Sequence, residues 1–162
     1  MMILGVDPGL SGALALVSDA GLECVEDVPT LELRRGGKTK REPDLVRLGA
    51  MVGGWAALGI DAAYVEQVNA MPGQGVSSMF AFGKVYGGIL GVLAAHCIPT
   101  HLVVPGTWKK AVGIKQGAGK DASRAKALQL WPAHGALFAR VRDDGRAEAS
   151  LIGLYGVRKG GA

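Results

Sequence analysis

The stretch ILGVDPGLSGALAL, residues 3–16, decides the fold. Ile3–Val6 and Ala13–Val17 are short apolar runs, and the DPGLSG between them is too brief for the dozen or so residues that a parallel crossover needs. The two runs are therefore predicted as neighbouring antiparallel strands, and Leu22–Val28, which alternates apolar and polar residues, as the third strand of a meander. Asp7 closes the first strand, where Pro8 and Gly9 turn the chain sharply, so its carboxylate is expected to be exposed at an edge of the sheet.

Further along, Leu45, Leu48, Val52, Trp55 and Leu58 recur every three or four residues after Pro43, the stripe of a helix over about 44–58. Ala62–Gln67 is predicted as a fourth strand carrying Glu66. Residues 76–96, in which small and apolar residues dominate, are expected to form a buried helix whose glycines admit a close neighbour. Thr100–Val104 is a fifth strand, entered through Pro99. A short helix over about 107–112, a glycine-rich turn KQGAGK, a helix over about 121–130 and a last helix over about 145–157 complete the chain. No internal repeat is visible. Three strands, helix, strand, helix, strand and then helices predict one α/β domain spanning 1–162. Its five-stranded mixed sheet, three antiparallel strands then two parallel, carries helices on both faces, an order that resembles the RNase H-like fold.

Composition agrees with a single folded unit. The chain has 162 residues, 49% of them hydrophobic and 20% charged, which argues against disorder. No apolar run reaches the roughly 18–20 uncharged residues of a membrane span, and the first ten residues lack a signal-peptide pattern. A soluble, cytoplasmic protein without a membrane partner is expected. Cys24 and Cys97 have no CxxC spacing and read as reduced core residues. His96, His101 and His134 show no metal-ligand spacing. The net charge of +4 and a pI near 9.2 favour a polyanionic partner. Arg34, Arg35, Lys38, Lys40 and Arg41 crowd into RRGGKTKR, which reads as a mobile basic loop.

Several acids stand where acids are costly. Glu66, in AYVEQV, is surrounded by residues whose type argues for burial, and an unpaired buried carboxylate is expensive. Asp144 and Glu148, four apart in DGRAE, lie on one face at the start of the last helix. Strands one and four are neighbours in the expected order, so a terminal helix lying across their ends brings Asp7, Glu66, Asp144 and Glu148 together. Four carboxylates repel one another unless hard cations sit among them, and magnesium favours such oxygen donors. Two-metal phosphodiester hydrolysis follows. Each acid alone has an ordinary reading: Asp7 as a turn cap, Glu66 as a lysine partner, Asp144 and Glu148 as acids favoured by the helix dipole. Asp143 reads as a helix-start or solvated acid, or a substitute for Asp144. Trp108 reads as a core residue.

At this point the chain resembles the RuvC family of Holliday-junction resolvases over nearly its whole length, and the phage and prophage branch most closely. The motifs are ILGVDPGLSGALAL, carrying Asp7; YVEQVNAMPGQGVSSMFAFG, carrying Glu66; and DGRAEASLIGLYG, carrying Asp144 and Glu148. The resemblance implies a magnesium-dependent homodimeric endonuclease, two ions per site with manganese as a substitute, that nicks opposing strands of a four-way DNA junction and leaves 5′-phosphate and 3′-hydroxyl ends. It assigns junction phosphates to Lys109 in GTWKKAVG and Lys120 in GAGKDAS, and more weakly to Lys84 in FGKVYGG. This chain departs from the bacterial pattern in spacing its last two acids by four rather than three, and in placing Asn69 where an aromatic residue follows the EQV strand. Two-fold symmetry of the junction calls for a dimer. Gly83, Gly87, Gly88 and Gly91 would let helix 76–96 pack against a second copy, or against this chain's own sheet. Competing readings are an RNase H-like nuclease acting on structured RNA or on branched DNA more generally, and a non-catalytic junction-binding protein. The related sugar-kinase ATPases need more than twice this length.

Overall fold

In the computed structural model, residues 1–69, 73 and 75–161 are described, Arg35 in its backbone alone. Among the described residues, seven strands and five α-helices follow in chain order: β1 (Met2–Asp7), β2 (Ala13–Ser18), β3 (Gly21–Asp27), β4 (Thr30–Arg35), β5 (Lys38–Pro43), α1 (Leu45–Ala56), β6 (Ala62–Glu66), α2 (Val76–Ala95), β7 (Thr100–Val103), α3 (Pro105–Ala111), α4 (Ala122–Leu130) and α5 (Asp144–Gly160). Two 3-10 turns, Pro132–Phe138 and Val141–Asp143, lead into α5. The main sheet has the order β3-β2-β1-β6-β7, with β1–β2 and β2–β3 antiparallel and β1–β6 and β6–β7 parallel. This is the five-stranded mixed sheet of the RNase H-like fold, with the meander the short DPGLSG connection requires.

The pleat divides each strand between two faces. On one face Leu4, Val6, Leu14 and Leu16 pack with Leu48 and Val52 of α1 and with Val85, Ile89 and Leu93 of α2. The other face belongs to α5, which meets Ala13, Ala15 and Val17 through Ala147 and Ala149, while Leu151, Ile152 and Tyr155 pack with Val103 and Trp108. Glycine brings α5 down onto the sheet. A Cβ on Gly5 would overlap the Ala149 carbonyl oxygen and the Gly153 nitrogen, and one on Gly153 would lie 2.6 Å from Val17 Cγ2.

Four expectations are corrected. The stretch RRGGKTKR is no mobile loop: it is the tip of an antiparallel ribbon, β4–β5, paired from Thr30 with Pro43 to Arg35 with Lys38. Gly36 and Gly37 both take positive φ, 57° and 74°, the backbone of the two-residue turn that matches strand twist. Helix α2 is not buried, since only three of its residues reach the core. By length and composition alone it is apolar enough for a membrane span despite Lys84, yet that buried side docks into the domain core. Asp7 does stand at a strand end, but it is half-buried there and not exposed. Cys97 is exposed and Cys24 half-buried, both as free thiols.

Candidate active site

Period-two alternation builds the site. Ile3, Gly5 and Asp7 share the face of β1 that looks at α5, because Gly5 touches α5 itself. On β6, Tyr64 lies against Gly156 of α5, so Glu66, two residues on, emerges on the same face. The parallel pairing of β1 with β6 ends both strands together, Val6 opposite Val65. Glu148 descends from the first turns of α5. One carboxylate oxygen each from Asp7, Glu66 and Glu148 lie within 4.8 Å of one another.

Their surroundings make the cluster electrostatically tense. Burial, then the negative charges of Glu148 and Glu66, push the Asp7 carboxyl up to about 8. Glu66 is also raised, chiefly by burial and by Glu148, against the pull of its hydrogen bond from Trp108. That bond, Trp108 Nε1 to Glu66 Oε1 at 2.9 Å, comes from a fully buried indole. Trp108 is thus a core residue, and also the group that orients Glu66. Glu148 Oε1 accepts from Ser123 Oγ at 3.0 Å and is paired with Lys109 Nζ at 2.9 Å. The donor set is all oxygen and carries more negative charge than Lys109 balances, which fits a hard divalent cation such as magnesium or manganese.

The fourth acid stands apart. Asp144 Oδ1 lies 3.0 Å from Arg124 Nε, so the first acid of α5 is claimed by a cation from α4 and is outside the group of three. Asp143 is a helix-start acid, immediately before α5, and is not solvated: it is 2% exposed, lies outside the group of three, and its carboxylate accepts from the Arg140 backbone nitrogen at 2.8 Å and from the Arg140 guanidinium. That guanidinium holds Asp143 below the usual carboxylate range. Sequence reasoning missed Trp108, Ser123 and Arg124 as partners of the acids, because each pairing joins elements distant in the chain.

The cations divide likewise. Lys109, Lys115 and Lys120 line a cleft of about 1180 Å³ that runs from α3 along the KQGAGK turn to Asp144 and Glu148. Lys84 is elsewhere, bound to Glu42 of β5 and 5.7 Å from the Phe80 ring centre. None of the three histidines joins a metal-ligating cluster among the described residues: His96 Nε2 bonds the Gly49 carbonyl at 3.1 Å, and His101 stacks on Tyr64.

The strand order, with α5 lying across the ends of β1 and β6, is that of the RNase H-like fold, and the topology resembles that of RuvC. Thermus thermophilus RuvC in complex with a Holliday junction substrate superposes with a TM-score of 0.66 and 17% identity, covering 99% of this chain and 96% of that one. A second Thermus thermophilus RuvC structure gives a TM-score of 0.57 and 15% identity, covering 99% and 97%. In sequence, the chain is 30% identical over 92 residues to the chloroplastic Holliday junction resolvase MOC1 of Chlamydomonas reinhardtii, a match covering 57% of this chain. The chain spans only 10% of that relative's length. No protein-family model matches.

Proposed function

We propose that this protein is a divalent-metal-dependent endonuclease that resolves four-way DNA junctions, cutting two opposing strands to leave 5′-phosphate and 3′-hydroxyl ends. The observation that carries this reading is the trio Asp7, Glu66 and Glu148, gathered within 4.8 Å beside a lysine-lined cleft. Likeness to RuvC bound to a Holliday junction and to a chloroplastic Holliday junction resolvase supports the choice of branched DNA.

Asp7, Glu66 and Glu148 would hold magnesium, two ions per site with manganese as a substitute. Such ions supply a water activated for in-line attack and charge stabilisation for the departing oxygen. The rest is done by the chain. Trp108 and Ser123 fix the orientation of Glu66 and Glu148, as groups behind metal ligands commonly do. Lys109 balances part of the carboxylate charge while facing the cleft, and Lys115 and Lys120 receive backbone phosphates along it. Asp144, at the rim, is an additional ligand only if Arg124 releases it. Lys84 is assigned no phosphate, since Glu42 holds it. A homodimer would deliver one site to each scissile strand. The exposed face of α2, where Gly83, Gly87 and Gly91 meet open space, is the surface for it. The setting of this activity is the cytoplasm of a bacterium or of its phage-infected counterpart.

The test is a synthetic four-way junction against a matched linear duplex, with and without magnesium. Symmetric, magnesium-dependent cutting of the junction and little cutting of the duplex is the expected result. Equal cutting of both would reject junction selectivity, and binding without cutting under magnesium would leave a non-catalytic junction binder. Calcium, with its looser coordination, should allow binding and stop cleavage.

A further inference from the structure

The β4–β5 ribbon takes no part in the site just described, and its chemistry is distinct. Its root lies at the end of the sheet that carries Asp7. The Val28 nitrogen donates to the Gly12 carbonyl at 2.9 Å, Asp44 closes the ribbon through Pro29 at 2.8 Å, and the Arg41 guanidinium donates to the Leu10 carbonyl in the turn that follows Asp7. Near the root the ribbon is half-buried through Leu31 and Leu33, which share a groove with Leu45 and Gly88. Towards the tip it changes character: from Arg34 to Arg41 no residue is apolar, and Arg34, Lys38 and Lys40 are exposed.

Those three cations have no acidic partner among the described residues. The register puts Lys38 and Lys40 on one face and Arg34, opposite Thr39, on the other. Cations on both faces suit a ribbon with a phosphate wall on each side. A six-residue ribbon is about 20 Å long, and the DNA major groove, roughly 12 Å wide, admits a two-stranded ribbon. The Gly36–Gly37 turn presets this shape, so little conformational entropy is lost on docking. A second copy of the same cationic tip would be repelled, which leaves a polyanion as the complementary partner.

We propose that the β4–β5 ribbon is a second DNA-contact element, gripping a duplex arm of the nucleic acid whose scissile phosphate lies at the acid cluster. The inference rests on the nuclease reading above and extends its DNA surface beyond the lysine cleft.

The experiment measures binding as a function of salt, in calcium so that nothing is cut, for the wild type and for the triple variant Arg34→Ala/Lys38→Ala/Lys40→Ala. Probes are a four-way junction, a linear DNA duplex and a double-stranded RNA of equal length. Each neutralised phosphate contributes about 0.9 to the slope of log K against log salt. The triple variant should therefore lose about two to three from that slope and bind DNA at least about tenfold more weakly at low salt, with an unchanged melting temperature. The charge-keeping variant Arg34→Lys/Lys38→Arg/Lys40→Arg should bind like the wild type. The loss should be smaller on RNA, whose deep, narrow major groove excludes a ribbon. An unchanged slope on DNA overturns the proposal while leaving junction cleavage intact, and an equal loss on RNA overturns the groove assignment. If the wild type binds duplex but shows no preference for the junction, the junction reading falls and the ribbon is still judged on the duplex slope. Binding to no DNA at all overturns both.

Discussion

Helices α5 and α2 are both rich in small residues, and the fold uses them in opposite ways. On α5 the glycines are contact points: a Cβ on Gly145 would lie 2.5 Å from the Ser11 carbonyl oxygen, and one on Gly156 2.5 Å from Tyr64 Cδ2. On α2, Gly88 lies against Leu45 of α1, but Gly83, Gly87 and Gly91 meet no described residue within 4 Å, and Val76 and Phe80 are exposed beside them. One composition signal therefore marks an intimate intramolecular seam in one place and an uncovered surface in the other. The seam is what makes the site, because only a helix lying this close to β1 can bring Glu148 to Asp7.

The largest expected effect tests that seam. Gly5→Val forces a side chain into the α5 backbone and should abolish the cooperative thermal transition followed by circular dichroism. Gly87→Ala should keep the transition but lower its midpoint in a way that depends on protein concentration, because the added methyl intrudes where the proposed second copy packs on this face. A concentration-independent gain of about 0.5–1 kcal/mol from helix propensity would instead leave the face uncovered.

Next in size is the chemistry itself. Asp7→Asn should reduce junction cleavage to background while keeping the fold and calcium-supported junction binding. Its melting temperature without metal should equal or exceed that of the wild type, because the amide removes a carboxylate destabilised by burial and by Glu148. Loss of the fold would make Asp7 a structural acid.

A smaller effect separates the groups that orient the acids from the acids themselves. Trp108→Phe and Ser123→Ala should each lower the cleavage rate or the metal affinity by about 10–100-fold, read from cleavage against magnesium concentration. An unchanged magnesium dependence in both would reduce their hydrogen bonds to packing.

The mildest effect lies outside the seam, where Arg140 holds Asp143. The Asp143 carboxyl is lowered in the folded state, so its contribution to stability is complete above the unfolded value of about 3.9 and is lost as pH falls through the lower folded value. Asp143→Asn should melt below the wild type at pH 7, with the gap closing below about pH 4. A gap independent of pH would mean that the Arg140 ion pair adds nothing to stability.

Legibility in the sequence followed the range of each interaction. Asp7 and Glu66 were readable because each ends an apolar strand, and Glu148 because a four-residue step returns to one helix face. Asp144 fits that step equally well. It was lost to the cluster because Arg124, twenty residues upstream on α4, competes for it. Asp143 looked solvated because its burial depends on Arg140 folding back over it. The ribbon was hidden for a different reason: Gly36–Gly37 between two equal arms is a hairpin signal, but the Arg and Lys residues that crowd RRGGKTKR leave no apolar–polar alternation around the turn. For α2 no local pattern distinguishes Gly88, which Leu45 covers, from Gly83, Gly87 and Gly91, which no described residue does.

The sequence by itself determined the meander, the helix positions and four acids at strand ends and at the start of the last helix, since these follow from short-range periodicity and, in the meander, from connections too short for a crossover. The tertiary structure alone decided which carboxylates meet, which cations neutralise them, and that a basic run is a preshaped ribbon. Those outcomes depend on contacts between side chains far apart in the chain, and such contacts exist only once the helix has settled on the sheet.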